Sequence, residues 1–145
     1  MTSEEKSVEL SARRTGMSFQ RTRMSADRTL MSVIRTSLSL ISFGFTIFQF
    51  FQKLVQAKVL LTTGSGVRDF GLLLVMLGLA MLVSGIAYHI SFMLGLRAER
   101  KQMMAQGLIH GESKFPVSMT MVVALLLLLT GLFAIANMLF HVSLF

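Results

Sequence analysis

The chain has 145 residues, of which 53% are hydrophobic and only 14% charged, with one proline and no cysteine, so it does not read as a soluble domain. Absence of cysteine excludes disulfides, thiolate metal sites and a cysteine nucleophile. The formal charge of +7 does not imply nucleic acid, because no basic face with stacking aromatics sits on a soluble fold.

Residues 1–16 are polar, rich in Ser, Thr and Arg, and are expected to form a flexible cytoplasmic tail without stable structure of its own. Glu4, Glu5 and Glu9 argue against a cleaved signal peptide or a mitochondrial presequence. From residue 17 the remainder, 17–145, is expected to be one three-span membrane domain. Met17, Met24 and Met31 recur at sevens beside Arg21 and Arg28. That pattern suits a short basic, amphipathic helix at the membrane surface, or a helical continuation of the first span.

Three apolar runs meet the roughly 20 residues that cross a hydrocarbon core of about 30 Å. The expected fold class is therefore all-α, an integral membrane protein with spans at about 34–51, 70–96 and 117–140. The first is the most polar. Steps of four and three along it give Arg28, Ser32, Arg35, Ser39, Ser42, Thr46, Gln49 and Lys53, which share one helix face. An arginine at the bilayer centre costs about 2.5–3.5 kcal/mol, but Arg35 lies within about one turn of the interface and can snorkel. The unbroken line of hydroxyls beyond it implies a polar helix–helix seam or a wet cavity. Asp27 is expected to pair with an arginine, either its neighbour or one on another subunit.

Thr62, Gly64, Ser65 and Gly66 supply turn chemistry before the second span. Gly71, Gly78 and Gly85 recur at sevens within it, a spacing that lets helix backbones approach closely in lipid. Arg97, Arg100 and Lys101 follow as anchors for anionic lipid headgroups. Pro116 suits a helix start. In the third span Thr130 and Asn137 share a face expected to point into protein. Lys and Arg concentrate in the N-terminal segment and the second loop, with only Lys53, Lys58 and Arg68 on the other side. The N-terminus is then cytoplasmic and the C-terminus periplasmic or extracellular.

The stretch DRTLMSVIRTSLSLISFGF resembles the signature of the YidH-like family of small bacterial inner-membrane proteins of unassigned function. Asp27, Arg28, Thr29, Ser32, Arg35, Thr36, Leu38, Ile41 and Gly44 carry the match. Asp27 replaces the family's usual Glu, and Val33 a frequent Trp. The same domain is similar to the membrane module of the eukaryotic vacuolar transporter chaperone complex, which makes polyphosphate and passes it through a membrane channel. That resemblance implies first spans gathered around a conduit, with Arg28 at a channel-facing position. No polyphosphate-polymerising domain is present, so synthesis does not carry over.

His89, His110 and His141 are too scattered along the layout to form one metal site, and no nucleophile with a positioned base, phosphate loop or paired buried carboxylates is discernible. No enzyme activity, metal or other cofactor is expected. Two functional readings stay open. One is a homo-oligomer in the bacterial inner membrane whose first spans line a path for an inorganic anion, phosphate or polyphosphate. The other is a non-conducting scaffold or accessory subunit that binds anionic lipid or a partner protein. A pore needs several copies, since a single chain has one polar stripe.

Overall fold

The computed structural model describes residues 2–59, 65–107 and 118–143, with backbone alone at 65 and 141–143. Three helices follow one another, α1 over Ser3–Gln56, α2 over Ser65–Ala105 and α3 over Met119–Ser143. All three are long and apolar enough to cross a membrane, and the fold is that of an all-α, multi-pass membrane protein. The turn residues Thr62 and Gly64, the loop carrying His110 and Pro116, and the side chain of His141 lie outside the described residues.

The N-terminal segment differs from its expectation. Residues 3–16 are helical and continuous with the first span, so α1 runs unbroken for 54 residues, about 81 Å at 1.5 Å per residue. Of the two alternatives for residues 17–31, the described residues form the helical continuation of the first span. The physical cause is a reciprocal cap that composition alone hides. Thr2 Oγ1 accepts from the Glu5 amide at 3.4 Å, while Glu5 Oε2 accepts from the Thr2 amide at 2.7 Å. Glu4 and Glu5 in the first turn favour the helix dipole, and Arg13 pairs with Glu9 one turn earlier. A helix that merely extends an existing one also bears no nucleation cost. At the other end Lys58 takes a left-handed φ of 55°, the Lys58 amide donates to Val55 and the Val59 amide to Leu54, which closes the last turn.

Ser65 and Gly66, expected before the second span, lie in the first turn of α2. That helix also runs past Arg97, Arg100 and Lys101 and stops near Gly107, which has a φ of 71°. Antiparallel packing of α1 and α2 is set by small residues. A Cβ on Gly44 would lie 2.6 Å from the Gly71 carbonyl oxygen, and one on Gly71 would lie 2.8 Å from the Gly44 oxygen. Gly78 meets Ser37 and Ile41, and Gly85 meets Val33. The seven-residue glycine spacing therefore lays one line of α2 along α1.

Packing of α3 uses another seven-residue line, Ala124, Gly131 and Met138. Ala124 joins Leu30, Ile34, Leu82 and Ile86, while Met138 joins Ile41, Phe48, Val75 and Leu79. Gly131 lies against Leu79 and Ile41. On the face expected to point into protein, Thr130 has no neighbour within the described chain, where it is exposed and donates to the Leu127 carbonyl at 2.9 Å. Its hydroxyl is satisfied within its own helix and needs no protein neighbour. Asn137 is half-buried.

Candidate functional site

The α2-facing side of α1 carries Leu30, Ile34, Ser37, Ile41, Gly44 and Phe48, all buried. The polar stripe lies elsewhere on the cylinder. Arg28, Ser32, Arg35, Ser39, Ser42, Thr46 and Lys53 are exposed and Gln49 is half-buried, so the stripe faces away from the other two helices. Ser39 Oγ donates to the Arg35 carbonyl at 2.9 Å and Thr46 Oγ1 to that of Ser42 at 2.8 Å. These hydroxyls are satisfied by their own helix. Arg97 and Lys101 are exposed, and Arg100 is half-buried, on the stretch of α2 beyond Leu96.

The stripe continues N-terminal to the span. The heptad Ser-x-x-Arg-Thr-x-Met occupies residues 11–17, 18–24 and 25–31, and recurs over 32–38 with Leu38 at its last position. It adds Ser11, Arg14, Ser18, Arg21 and Ser25 to the same face. Arg14, Arg21, Arg28 and Arg35 are all exposed, about 10.5 Å apart along the axis. Among the described residues none of these four pairs with a carboxylate. The threonine of each unit donates to the carbonyl of its own serine, at 3.0–3.1 Å for Thr15, Thr22, Thr29 and Thr36. The signal was present as self-similarity at period seven, which a search for apolar runs passes over.

Asp27 has partners other than the expected arginine. Its Oδ1 lies 3.1 Å from His89 Nε2 on α2 and accepts from Ser118 Oγ, at the start of α3, at 2.9 Å. His89 is 5% exposed, so the carboxylate supplies the hydrogen-bond partner that a buried imidazole requires. The three residues are not arranged as a nucleophile, base and orienting acid. Serine and histidine converge on one oxygen of the acid, whereas a relay needs the serine bonded to the histidine. The cluster instead ties all three helices at one level. A cleft of about 340 Å³ opens beside it, lined by Ala26, Thr29, Val33, Ser84, Tyr88 and His89 among others.

Among the described residues no group of three His, Cys, Asp or Glu side chains is placed to hold a metal. No curated protein and no solved structure matches the chain. A family model described as "Domain of unknown function (DUF202)" matches residues 21–95, which takes in the repeat from Arg21, the Asp27–His89 contact and all four glycines of the α1–α2 seam. The chain belongs to the DUF202 family.

Proposed function

We propose that the protein is a homo-oligomer in the bacterial inner membrane, with the N-terminus cytoplasmic, in which the outward faces of several α1 helices surround a path for an inorganic anion. The observation that carries this reading is the exposure of Arg28, Ser32, Arg35, Ser39, Ser42 and Thr46 on the side of α1 opposite α2. A single chain leaves the part of that face within the span to lipid, to which a continuous polar stripe headed by Arg35 is poorly suited. Further copies cover it, and rings of basic side chains select anions. The resemblance to YidH-like proteins and to the vacuolar transporter chaperone module points to phosphate or polyphosphate as the anion. Arg97, Arg100 and Lys101 then serve anionic lipid headgroups on the cytoplasmic side.

A second reading, a non-conducting scaffold with a dry seam, is favoured by one specific observation. Ser39 and Thr46 already bond to their own helix, so they need no water. The absence of cysteine makes the separation direct. Single cysteines at Ser32, Ser39 and Thr46 are expected to cross-link between copies and to react with a water-soluble thiol reagent. The outward apolar positions Leu38 and Phe43 serve as unlabelled controls. Cross-linking without labelling selects the dry seam, and neither defeats the association of α1 helices.

A further inference from the structure

We propose that the outward face of α1 from Leu10 to Met31 is a docking surface for an acidic, amphipathic helix of a partner protein. Most of this stretch stands clear of the membrane-crossing segment, since Leu10 lies about 36 Å and Met24 about 15 Å along the axis from Ile34, and only Arg28 and Met31 approach the membrane edge. Its inner side is occupied, because Phe19 is buried against Leu96 with Met103 beside them. The outer side is open. Leu10, Met17, Met24 and Met31 form a line at sevens and are 57%, 52%, 62% and 44% exposed. Arg14, Arg21 and Arg28 run alongside, three residues before each methionine.

Two features specify the occupant. First, the repeated serine, arginine and methionine positions are the outward ones. Facing α2, the second position of each unit is Ala12, Phe19, Ala26 and Val33, and the sixth is Gly16, Arg23, Leu30 and Ser37. Packing within the chain accepts that variety, so it does not explain why serine, arginine and methionine recur outside. A partner helix of period seven would meet the same group at every step. Second, the surface joins cations to flexible apolar side chains. Guanidinium groups pair bidentately with carboxylates, and methionine adapts to varied apolar surfaces. A bare polyanion would use the arginines and leave the methionines in water. A second copy of α1 packed directly on this face would set arginine against arginine with no acid between them, unlike copies spaced around a path. The face carries no acid of its own between Leu10 and Met31, because Asp27 is turned to His89 and Ser118.

The test uses the full chain in nanodiscs of zwitterionic phosphatidylcholine. The probe is a synthetic helical peptide of about three heptads, with one glutamate and one leucine at fixed positions in each. A scrambled peptide of the same composition and inorganic polyphosphate are the comparisons. The ordered peptide is expected to bind at least about tenfold more tightly than the scrambled one. Paired substitutions R14Q/R21Q and M17S/M24S should each weaken it about fivefold or more, with helix content and thermal melting unchanged. Equal binding of the scrambled peptide overturns the proposal, as does an M17S/M24S protein that binds the ordered peptide normally, which marks a plain anion surface. A change in oligomer mass on R14Q/R21Q also overturns it, by assigning the face to a contact between copies. None of these outcomes depends on whether the membrane-crossing part of α1 conducts.

Discussion

The two halves of α1 are held by different means. Between Val33 and Phe48 the helix is in backbone-level contact with α2 through Gly44, Gly71, Gly78 and Gly85, and α3 closes the groove with Ala124, Gly131 and Met138. Between Ser3 and Ala26 the buried anchor is Phe19, against Leu96 and Met103. In lipid, close approach must replace the hydrophobic drive, and only small residues permit it. Outside lipid, one large side chain over an apolar partner suffices to dock a helix that is already formed. The fold is therefore specified in the span, while the extension is free to present a surface. Its repeated serines, arginines and methionines are dispensable for packing one chain.

The largest effect is expected from Gly71→Leu or Gly44→Leu. Each new Cβ would fall within 2.8 Å of the opposing backbone oxygen, which cannot swing aside like a side chain. Overpacking of this kind costs about 1–3 kcal/mol or more, so thermal unfolding in detergent should occur at clearly lower temperature than for the parent. A Gly71→Leu protein that melts normally would show that the helices do not cross there.

Much of the span was legible because lipid demands length and apolarity together, and both are local properties of the chain. The glycines at 71, 78 and 85 were legible too, as a seven-residue line needs no knowledge of the partner. What they meet was not. Gly44 opposite Gly71 is a relation between helices that no single-helix pattern contains. The same holds for Asp27 and His89, which lie 62 positions apart. A charge beside arginine suggests the arginine as its partner, but Arg28 points one residue further round the cylinder, toward the exposed face. The helical state of residues 3–16 escaped a reading by composition, although Thr2 and Glu5 spelled a capping box at the correct spacing.

At the boundary between the two halves, Asp27→Ala is expected to have an intermediate effect. It leaves His89, 5% exposed, and Ser118 without their shared acceptor. An orphaned buried donor costs about 1–3 kcal/mol, and the 29% exposure of the Asp27 side chain favours the lower end. The loss should concentrate at the start of α3, where the Met121 and Val122 amides bond to the Ser118 carbonyl. Hydrogen exchange at those two amides should accelerate, with the Gly44–Gly71 crossing unaffected. Exchange that stays at the parent rate would reduce the cluster to a local decoration of α1 and α2.

The smallest effect belongs to the extension, and its sign is opposite. Gly16 is helical, and a Cβ built there meets nothing within 4 Å, in contrast to Gly44 in the same helix. Alanine at this site creates no clash, and it lowers the conformational entropy of the unfolded segment. Gly-to-Ala replacement in a helix interior is worth about 0.5–1 kcal/mol. Gly16→Ala should therefore slow amide exchange over residues 3–16 severalfold while leaving the melting of the three-helix core unchanged. That separation follows from the way the extension is built, because an element anchored at Phe19 can gain local stability without transmitting it to the glycine crossing. If Gly16→Ala raised the core melting temperature as much as it slowed local exchange, the two halves would unfold as one unit. A loss of stability would instead mean that something packs on Gly16 when the chain is in its membrane.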